Sequence, residues 1–200
     1  MNAFSAEPKP SASSNDAAPA ANSACVAHKF GGSSVANAER YRHVATLLAA
    51  RPETQQITVV SAMQGVTDAL IALADAALRG ESWRPGFDAL RERHLDTVQS
   101  IGGFDTGQTH AWLVAQFEQL ASLLGAIALL GPSGEGALAR VHGLGEVWSA
   151  RLLAAALAAQ GSSAAVLDAR EVLVVGRNDL GIAVDWTASA ARLADWRKIH

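Results

Sequence analysis

Lysine is scarce in this sequence of 200 residues and occurs only at positions 9, 29 and 198. The formal net charge is −3, so the chain has no overall positive field to hold a phosphate backbone, and we expect no nucleic-acid partner. Cysteine occurs once, as Cys25, which excludes an intrachain disulfide and a zinc site built from several cysteines. Chemistry that needs a lysine therefore has few candidate positions.

Long apolar runs are also missing. The longest, residues 120–130, is interrupted by Ser122 and falls well short of the ~20 residues that a membrane-spanning helix needs. The N-terminal region has no apolar stretch of the kind found in a secretory signal. We therefore expect no membrane partner and a cytoplasmic location.

The first 24 residues differ from the rest in composition. They contain eight alanines, five serines and three prolines with almost no large apolar side chain, so burial cannot offset the entropy of ordering them. The sequence predicts a disordered leader over residues 1–24. Residues 25–200 have a suitable length for one domain, and the chain as a whole is 50% hydrophobic, which is enough for a core.

Strand and helix patterns alternate along this region. Short apolar or β-branched runs predict strands at residues 25–30, 57–60, 164–167 and 172–175. Apolar residues at helical spacing predict helices at residues 34–51 (capped by Ser34), 66–78, 87–101, 110–130, 146–160 and 187–200. The alternation predicts an α/β sandwich with a largely parallel sheet, in which the run at 57–60 is buried on both faces.

The first candidate site follows the first predicted strand. Lys29 and Phe30 end the strand, and Gly31 and Gly32 form a turn into a helix. Glycines let backbone N–H groups approach an anion closely, and the lysine adds a full positive charge, so this pattern suits a phosphate. A plain strand-to-helix turn with a solvated lysine has the same pattern, and the residues alone leave both open.

Two further segments carry polar groups beside predicted element ends. Ser61 and Thr67 flank the loop after the second strand, where hydroxyls could hold a substrate carboxylate or simply cap a helix. Glu146 follows a pair of glycines at a predicted helix start, where the helix dipole alone would favour a carboxylate. Each segment by itself is compatible with both interpretations.

Taken together and in order, these segments resemble aspartate kinases of the amino-acid kinase family. The matching segments are residues 29–36, 59–67, 145–149 and 167–171, and residues 37–40 resemble the bifunctional aspartokinase–homoserine dehydrogenase branch in particular. The resemblance covers nearly all of residues 25–200. It implies the three-layer α/β sandwich of the amino-acid kinase fold, incomplete at its C-terminus.

The resemblance also implies a reaction, the transfer of the γ-phosphoryl group of ATP, with Mg²⁺, to the side-chain carboxylate of L-aspartate. The product, 4-phospho-L-aspartate, begins threonine, lysine and methionine synthesis. Lys29 would then be catalytic, and the ATP-binding residues would be Lys29, Phe30, Gly31 and Gly32. The aspartate-binding residues would be Ser61, Ala62, Thr67 and Glu146. The resemblance implies no protein metal site and a homo-oligomeric full-length enzyme.

Nothing in the sequence matches the later parts of such enzymes, namely a glycine-rich segment with a Ser-Asp pair, the nucleotide-base pocket and the regulatory domains. We therefore expect the chain to be the N-terminal, substrate-side part of a longer enzyme and to be inactive alone. Two alternatives stay open. One is a kinase for another acidic amino acid, and the other is a non-catalytic amino-acid-binding or assembly module.

Overall fold

The computed structural model describes residues 25–51, 55–103, 106–131, 135–178 and 181–199. The strands in this part are β1 Cys25–Phe30, β2 Gln55–Val60, β3 Val175–Asn178 and β4 Gly181–Val184. The α-helices are α1 Ala38–Ala49, α2 Val66–Leu78, α3 Arg84–Ile101, α4 Thr106–Leu130, α5 Glu135–His142, α6 Leu144–Ala159, α7 Ala169–Val172 and α8 Trp186–Ile199. A short 3₁₀ helix, Gly32–Val35, follows β1. The predicted leader lies outside the described residues.

The strands β1 and β2 pair in parallel, with Phe30 opposite Val60, so the predicted parallel sheet and α/β class are confirmed. The prediction that residues 57–60 are buried on both faces is wrong, because Ile57 and Val59 are 57% and 56% exposed. Helices cover only one face of this strand pair within the described residues, and alternate side chains point to opposite faces. The opposite face of the pair is therefore open.

The remaining predicted strands differ from the structure. Residues 164–167 were predicted to form a strand. They form none, and they pair with no described strand. The strand predicted at 172–175 is wrong except for its last residue, since Val172 ends α7 and β3 begins at Val175. Strands β3 and β4 form an antiparallel hairpin in a separate sheet. A hairpin was not predicted because each of its strands is only four residues long.

The predicted helices are confirmed, with ends shifted by up to four residues, and the two shortest helices, α5 and α7, were not predicted. Ser34 was wrongly expected to cap α1, since it lies inside the 3₁₀ helix. The cap is Asn37, whose side-chain oxygen accepts a hydrogen bond from the backbone N–H of Arg40 at 3.0 Å. The glycine turn is therefore followed by a 3₁₀ turn before α1 begins.

Helix packing buries one face of each major helix. In α1 the buried residues Tyr41, Val44, Ala45 and Leu48 recur at the spacing of one helix face. This face packs on α6, and α4 packs against α2, α3 and α6. The core thus lies mainly among the helices, with Phe30 and Val60 of the strand pair packed against its edge. It fixes where the N-terminus of α6 lies relative to the strands.

Helix α4 is long and apolar enough to cross a membrane by length and composition alone. Its buried residues fall on one face, namely Thr109, Leu113, Phe117, Leu120, Leu124 and Ile127. That face contributes to the central hydrophobic core. Core packing therefore accounts for one face of α4, whereas Leu129 and Leu130 at its C-terminal end are exposed.

His94 of α3 is completely buried in this core. Its Nδ1 donates to the carbonyl oxygen of Leu90 at 2.8 Å, and its ring makes edge contacts with Phe117 and Trp148. Its Nε2 is buried without a hydrogen-bond partner among the described residues. Burial, with a smaller contribution from the charge of Arg93, lowers the pKa of His94 to about 4 from its ordinary 6.5. The folded chain therefore holds a neutral imidazole.

We expect this histidine to make folding sensitive to acid. Because the folded pKa lies below the unfolded one, the stability from neutral His94 is fully present above pH 6.5 and is lost as pH falls towards 4. The shift corresponds to about 3 kcal/mol in the free energy of unfolding. Urea unfolding at a series of pH values should show this loss, and the variant His94→Leu should lose less stability over the same interval. An identical pH dependence in the two proteins would contradict the assignment.

Candidate active site

The carboxyl ends of β1 and β2 lie side by side and set the position of two loops. The backbone N–H of Ser61 donates to the carbonyl oxygen of Phe30 at 3.0 Å, which extends the strand pairing by one residue. The glycine turn after Phe30 and the loop after Val60 therefore leave the sheet together. Ligands of parallel α/β sheets gather at this edge, as the sequence predicted.

The glycine turn carries the lysine. The Nζ atom of Lys29 lies 3.7 Å from the position that a Cβ on Gly31 would occupy, so the ammonium group bends over the turn. The turn is closed by a hydrogen bond from the N–H of Ser34 to the carbonyl oxygen of Gly31 at 2.9 Å. Lys29 is exposed and makes no ion pair with any described residue. A positive charge thus lies beside the uncrowded backbone of Gly31.

Phe30, unlike Lys29, does not direct its side chain to the glycine turn. Its side chain is half-buried and packs against the hydrophobic core. Only its backbone is left to face the turn.

Ala62 is the point at which three segments meet. A Cβ on Gly32 would lie 2.9 Å from the carbonyl oxygen of Ala62, and a Cβ on Gly145 would lie 2.7 Å from the Cβ of Ala62. Neither position has room for a side chain without movement of the backbone. The glycine turn and the N-terminus of α6 therefore both lie against the loop after β2.

The loop after β2 leads directly into α2. Gly65 adopts a positive φ of 77°, and the N–H of Val66 donates to the carbonyl oxygen of Met63 at 2.9 Å, so the chain reverses sharply. Thr67 is the second residue of α2. The hydroxyls of Ser61 and Thr67 are half-buried and form no hydrogen bond within the described part of the chain. Both hydroxyls are available to a ligand.

Glu146 stands in the first turn of α6, next to Gly145. Its carboxylate is exposed and forms no ion pair or hydrogen bond with the residues that the structure describes. Since Gly145 touches Ala62, Glu146 lies one residue from the contact that joins α6 to the other loops. An exposed carboxylate without a partner among the described residues therefore stands one residue from the packing contact between α6 and the loop after β2.

The segments that carry the predicted site residues are therefore brought together in space. Direct packing joins Gly32, Ala62 and Gly145, while Lys29, Ser61, Thr67 and Glu146 are the polar side chains next to these contacts. The alternative interpretation of Ser61 and Thr67 as helix caps has no support, since no side-chain cap hydrogen bond forms at the start of α2. No group of three or more acidic, histidine or cysteine side chains among the described residues could hold a metal ion.

The segment at 167–171 takes a different place. Asp168 caps α7 and forms a bidentate pair with Arg170 at 2.6–3.0 Å, and these hydrogen bonds hold the pKa of Asp168 below its ordinary value. Both residues border a groove of about 430 Å³ that also includes Leu144, the first residue of α6. This segment therefore borders the region in which α6 begins.

Two contacts near the site were missed by sequence reasoning. The hydroxyl of Tyr41 and the Oγ of Ser149 form a buried hydrogen bond of 2.8 Å between α1 and α6. A guanidinium nitrogen of Arg93 donates to the carbonyl oxygen of Ala36 at 3.1 Å, which ties α3 to the end of the 3₁₀ turn. The only local signal was the position of Ser149 three residues after Glu146, on the same helix face.

Comparison with known proteins gives a consistent family. The model of the amino acid kinase family matches residues 24–197. The chain is 33% identical over 172 residues to the bifunctional aspartokinase/homoserine dehydrogenase 1, chloroplastic, of Zea mays, covering 84% of this chain and 19% of that protein. It is 36% identical over 150 residues to the bifunctional aspartokinase/homoserine dehydrogenase 2 of Escherichia coli (strain K12), covering 73% and 18%. The chain thus spans about a fifth of the length of the curated relatives it matches.

Solved structures of similar fold include E. coli aspartokinase III in two complexes. The complex with aspartate and ADP (R-state) matches with a TM-score of 0.73 at 24% identity, over 86% of this chain and 37% of that one. The complex with lysine and aspartate (T-state) matches with a TM-score of 0.72 at 23% identity, over 85% and 37%. These matches show that most of this chain shares the fold of those structures.

Proposed function

We propose that this chain, which belongs to the amino acid kinase family, forms the substrate-side part of an aspartate kinase. The reaction is transfer of the γ-phosphoryl group of ATP to the side-chain carboxylate of L-aspartate. The observation that supports the proposal is the packing of the glycine turn and of the N-terminus of α6 against Ala62, since these two segments carry Lys29 and Glu146. The names of the curated relatives support the same reaction.

The phosphate side of the site consists of Lys29, Gly31 and Gly32. The turn fits a phosphate because its backbone is uncovered by side chains and because the Lys29 ammonium group already lies over it. Lys29 stabilises the charge on the phosphoryl group during transfer, and the backbone of residues 30–32 contacts the phosphates. Mg²⁺ arrives with the nucleotide and neutralises part of its charge.

The amino-acid side consists of Ser61, Ala62, Thr67 and Glu146. The free hydroxyls of Ser61 and Thr67 donate to carboxylate oxygens of aspartate. The Glu146 carboxylate pairs with the substrate ammonium group, so a dicarboxylate without an amino group leaves it unpaired. Charge complementarity therefore selects an amino acid with a second carboxylate.

The chemistry needs positioning more than proton transfer. The acceptor carboxylate has an ordinary pKa near ~4 and is ionised at neutral pH, so attack on phosphorus requires no general base. The difficulty is to bring an anionic acceptor to a polyanionic nucleotide. A lysine on one side and a glutamate that orients the acceptor on the other meet this requirement.

The proposal also covers the location and oligomeric state of the complete protein. The complete protein is a cytoplasmic homo-oligomer, it resembles the bifunctional enzymes that also carry homoserine dehydrogenase, and the present residues alone do not turn over. Turnover of aspartate and MgATP by the isolated 200-residue chain would contradict the last point.

The role of Glu146 can be tested by the variant Glu146→Gln in the complete gene product. Loss of a charged hydrogen-bonding partner should raise the KM for aspartate about tenfold to a hundredfold with little change in kcat. The matched control is Glu39→Gln, which removes an exposed glutamate from the first turn of α1. If Glu146 only interacts with the helix dipole, both variants should lose a similar small amount of stability and the KM for aspartate should not change. That result would refute the assignment of Glu146 to aspartate binding.

A further inference from the structure

Helices α1 and α6 are joined by a hydrogen bond that the proposed reaction does not use. It links the hydroxyl of Tyr41 to the Oγ of Ser149 at 2.8 Å, and both residues are completely buried. Burial raises the pKa of the Tyr41 hydroxyl well above its ordinary value, so the group stays neutral and keeps its proton. The hydroxyl can therefore act as a hydrogen-bond donor at neutral pH.

Each end of this bond lies close to one side of the site. Tyr41 is in the first turn of α1, and its backbone N–H donates to the carbonyl oxygen of the cap residue Asn37 at 3.0 Å. The start of α1 follows the 3₁₀ turn, which Arg93 fixes through the carbonyl oxygen of Ala36. Ser149 is one turn after Glu146 on α6. The bond thus connects the glycine-turn side of the site to the helix that carries Glu146.

The hydrogen bond between Tyr41 and Ser149 restricts the movement of α6 along α1 more strictly than apolar packing does, because a hydrogen bond depends on direction. A buried hydroxyl without a partner costs about 1–3 kcal/mol, so α6 cannot slide or rotate along α1 without that penalty. Nearby, Gly145 leaves no free space against Ala62. The N-terminus of α6 is therefore fixed by close packing on one side and by a hydrogen bond on the other.

We propose that Tyr41 is a positioning residue for the amino-acid substrate, because its hydrogen bond to Ser149 sets the position of Glu146. This inference rests on the proposed function of the site. Tyr41 lies behind the site and does not contact the substrate. Its loss changes the affinity for aspartate through α6.

The test compares Tyr41→Phe, Ser149→Ala and the double variant in the complete gene product. Tyr41→Phe keeps the ring and leaves the Ser149 hydroxyl buried and unpaired, so it should lower the midpoint of thermal inactivation. It should also raise the KM for aspartate about fivefold, the equivalent of one net hydrogen bond, with the KM for ATP and kcat little changed. The double variant has no unpaired hydroxyl, so we expect it to regain thermal stability and to keep the raised KM for aspartate.

A second hydrogen-bonded contact between the same helices provides the control. Gln160, at the C-terminal end of α6, donates to the carbonyl oxygen of Arg42 at 2.9 Å and accepts from Thr46 at 3.2 Å. It lies fourteen residues along the chain from Glu146, or about 20 Å by helical rise. Gln160→Ala should lower thermal stability and leave the KM for aspartate unchanged.

The outcomes separate the two proposals. An unchanged KM for aspartate in Tyr41→Phe, or its recovery together with stability in the double variant, would show that the bond is only structural and would overturn the inference. Absence of aspartate-dependent turnover in the unmodified gene product would overturn the proposed function itself, and the positioning role with it.

Discussion

Replacement of Lys29 by alanine in the complete gene product should lower kcat by about 10²–10³-fold, while the KM for aspartate changes little. The reason is that the Lys29 ammonium group is the positive charge that the structure holds over the glycine turn, 3.7 Å from the position of a Cβ on Gly31. In the proposed reaction, the interaction of Lys29 with the phosphoryl group strengthens as charge moves during transfer. Steady-state kinetics with aspartate and MgATP varied in turn would measure both constants.

A control for this result is supplied by the scarcity of lysine. Lys198 is the other lysine in the described residues, and it is exposed on α8 in a pair with Asp195 at 2.7 Å. Lys198→Ala should leave kcat unchanged. Wild-type turnover in Lys29→Ala, or equal losses in the two variants, would remove Lys29 from the reaction.

Replacement of Gly145 by alanine should reduce kcat/KM for aspartate by about 10²-fold, with stability lower by about 1–3 kcal/mol. The added Cβ would lie 2.7 Å from the Cβ of Ala62 and 3.0 Å from a methyl group of Val66, so the first turn of α6 has to move away from the loop after β2. Such a movement carries Glu146 away from Ser61 and Thr67. Kinetics and urea unfolding of the same preparation would give both numbers.

Gly143→Ala is the matched control. Gly143 precedes α6 with an ordinary φ of −88°, and a Cβ there would meet only the carbonyl oxygen of Ala139, at 3.6 Å. The same substitution two residues earlier should therefore leave both kcat/KM and stability near the wild-type values. If both variants behaved alike, close packing of Gly145 on Ala62 would not be what positions α6.

Local features of the site could be predicted from the sequence because their signals are local. The strand at 25–30 followed by two glycines predicts a turn at the edge of a sheet, and the apolar run at 57–60 predicts the neighbouring strand. The parallel pairing then brings Ser61 beside Phe30. Lys29 stood out because so few lysines were available.

Contacts between distant segments could not be predicted in the same way. Tyr41 and Ser149 are separated by 108 residues, and nothing in the neighbourhood of either residue indicates its partner. The close approach of Gly145 to Ala62 is equally invisible, because a glycine near a helix start is also typical of an ordinary turn. These contacts are set by how α6 packs on α1 and α2, and so they depend on the whole core.

The open face of the strand pair is a further feature that could not be predicted from the sequence. An apolar run such as residues 57–60 indicates burial without saying what provides it. Within the described residues, helices cover one face and leave Ile57 and Val59 more than half exposed. The sequence pattern reported the apolar character of the strand, whereas the number of covered faces depends on the elements that pack beside it.

The most direct test of the proposed function is an assay of the complete protein in which hydroxylamine traps the acyl phosphate that the reaction forms. L-aspartate, L-glutamate and N-acetylglutamate would be compared as acceptors in the presence of ATP and Mg²⁺. We predict hydroxamate formation that requires both ATP and L-aspartate and that exceeds the signal from the other two acceptors. A preference for glutamate or N-acetylglutamate would indicate a kinase for another acidic amino acid, and binding of aspartate without any hydroxamate would indicate a non-catalytic module. Either result would contradict the assignment of Lys29 and Glu146 to an aspartate kinase.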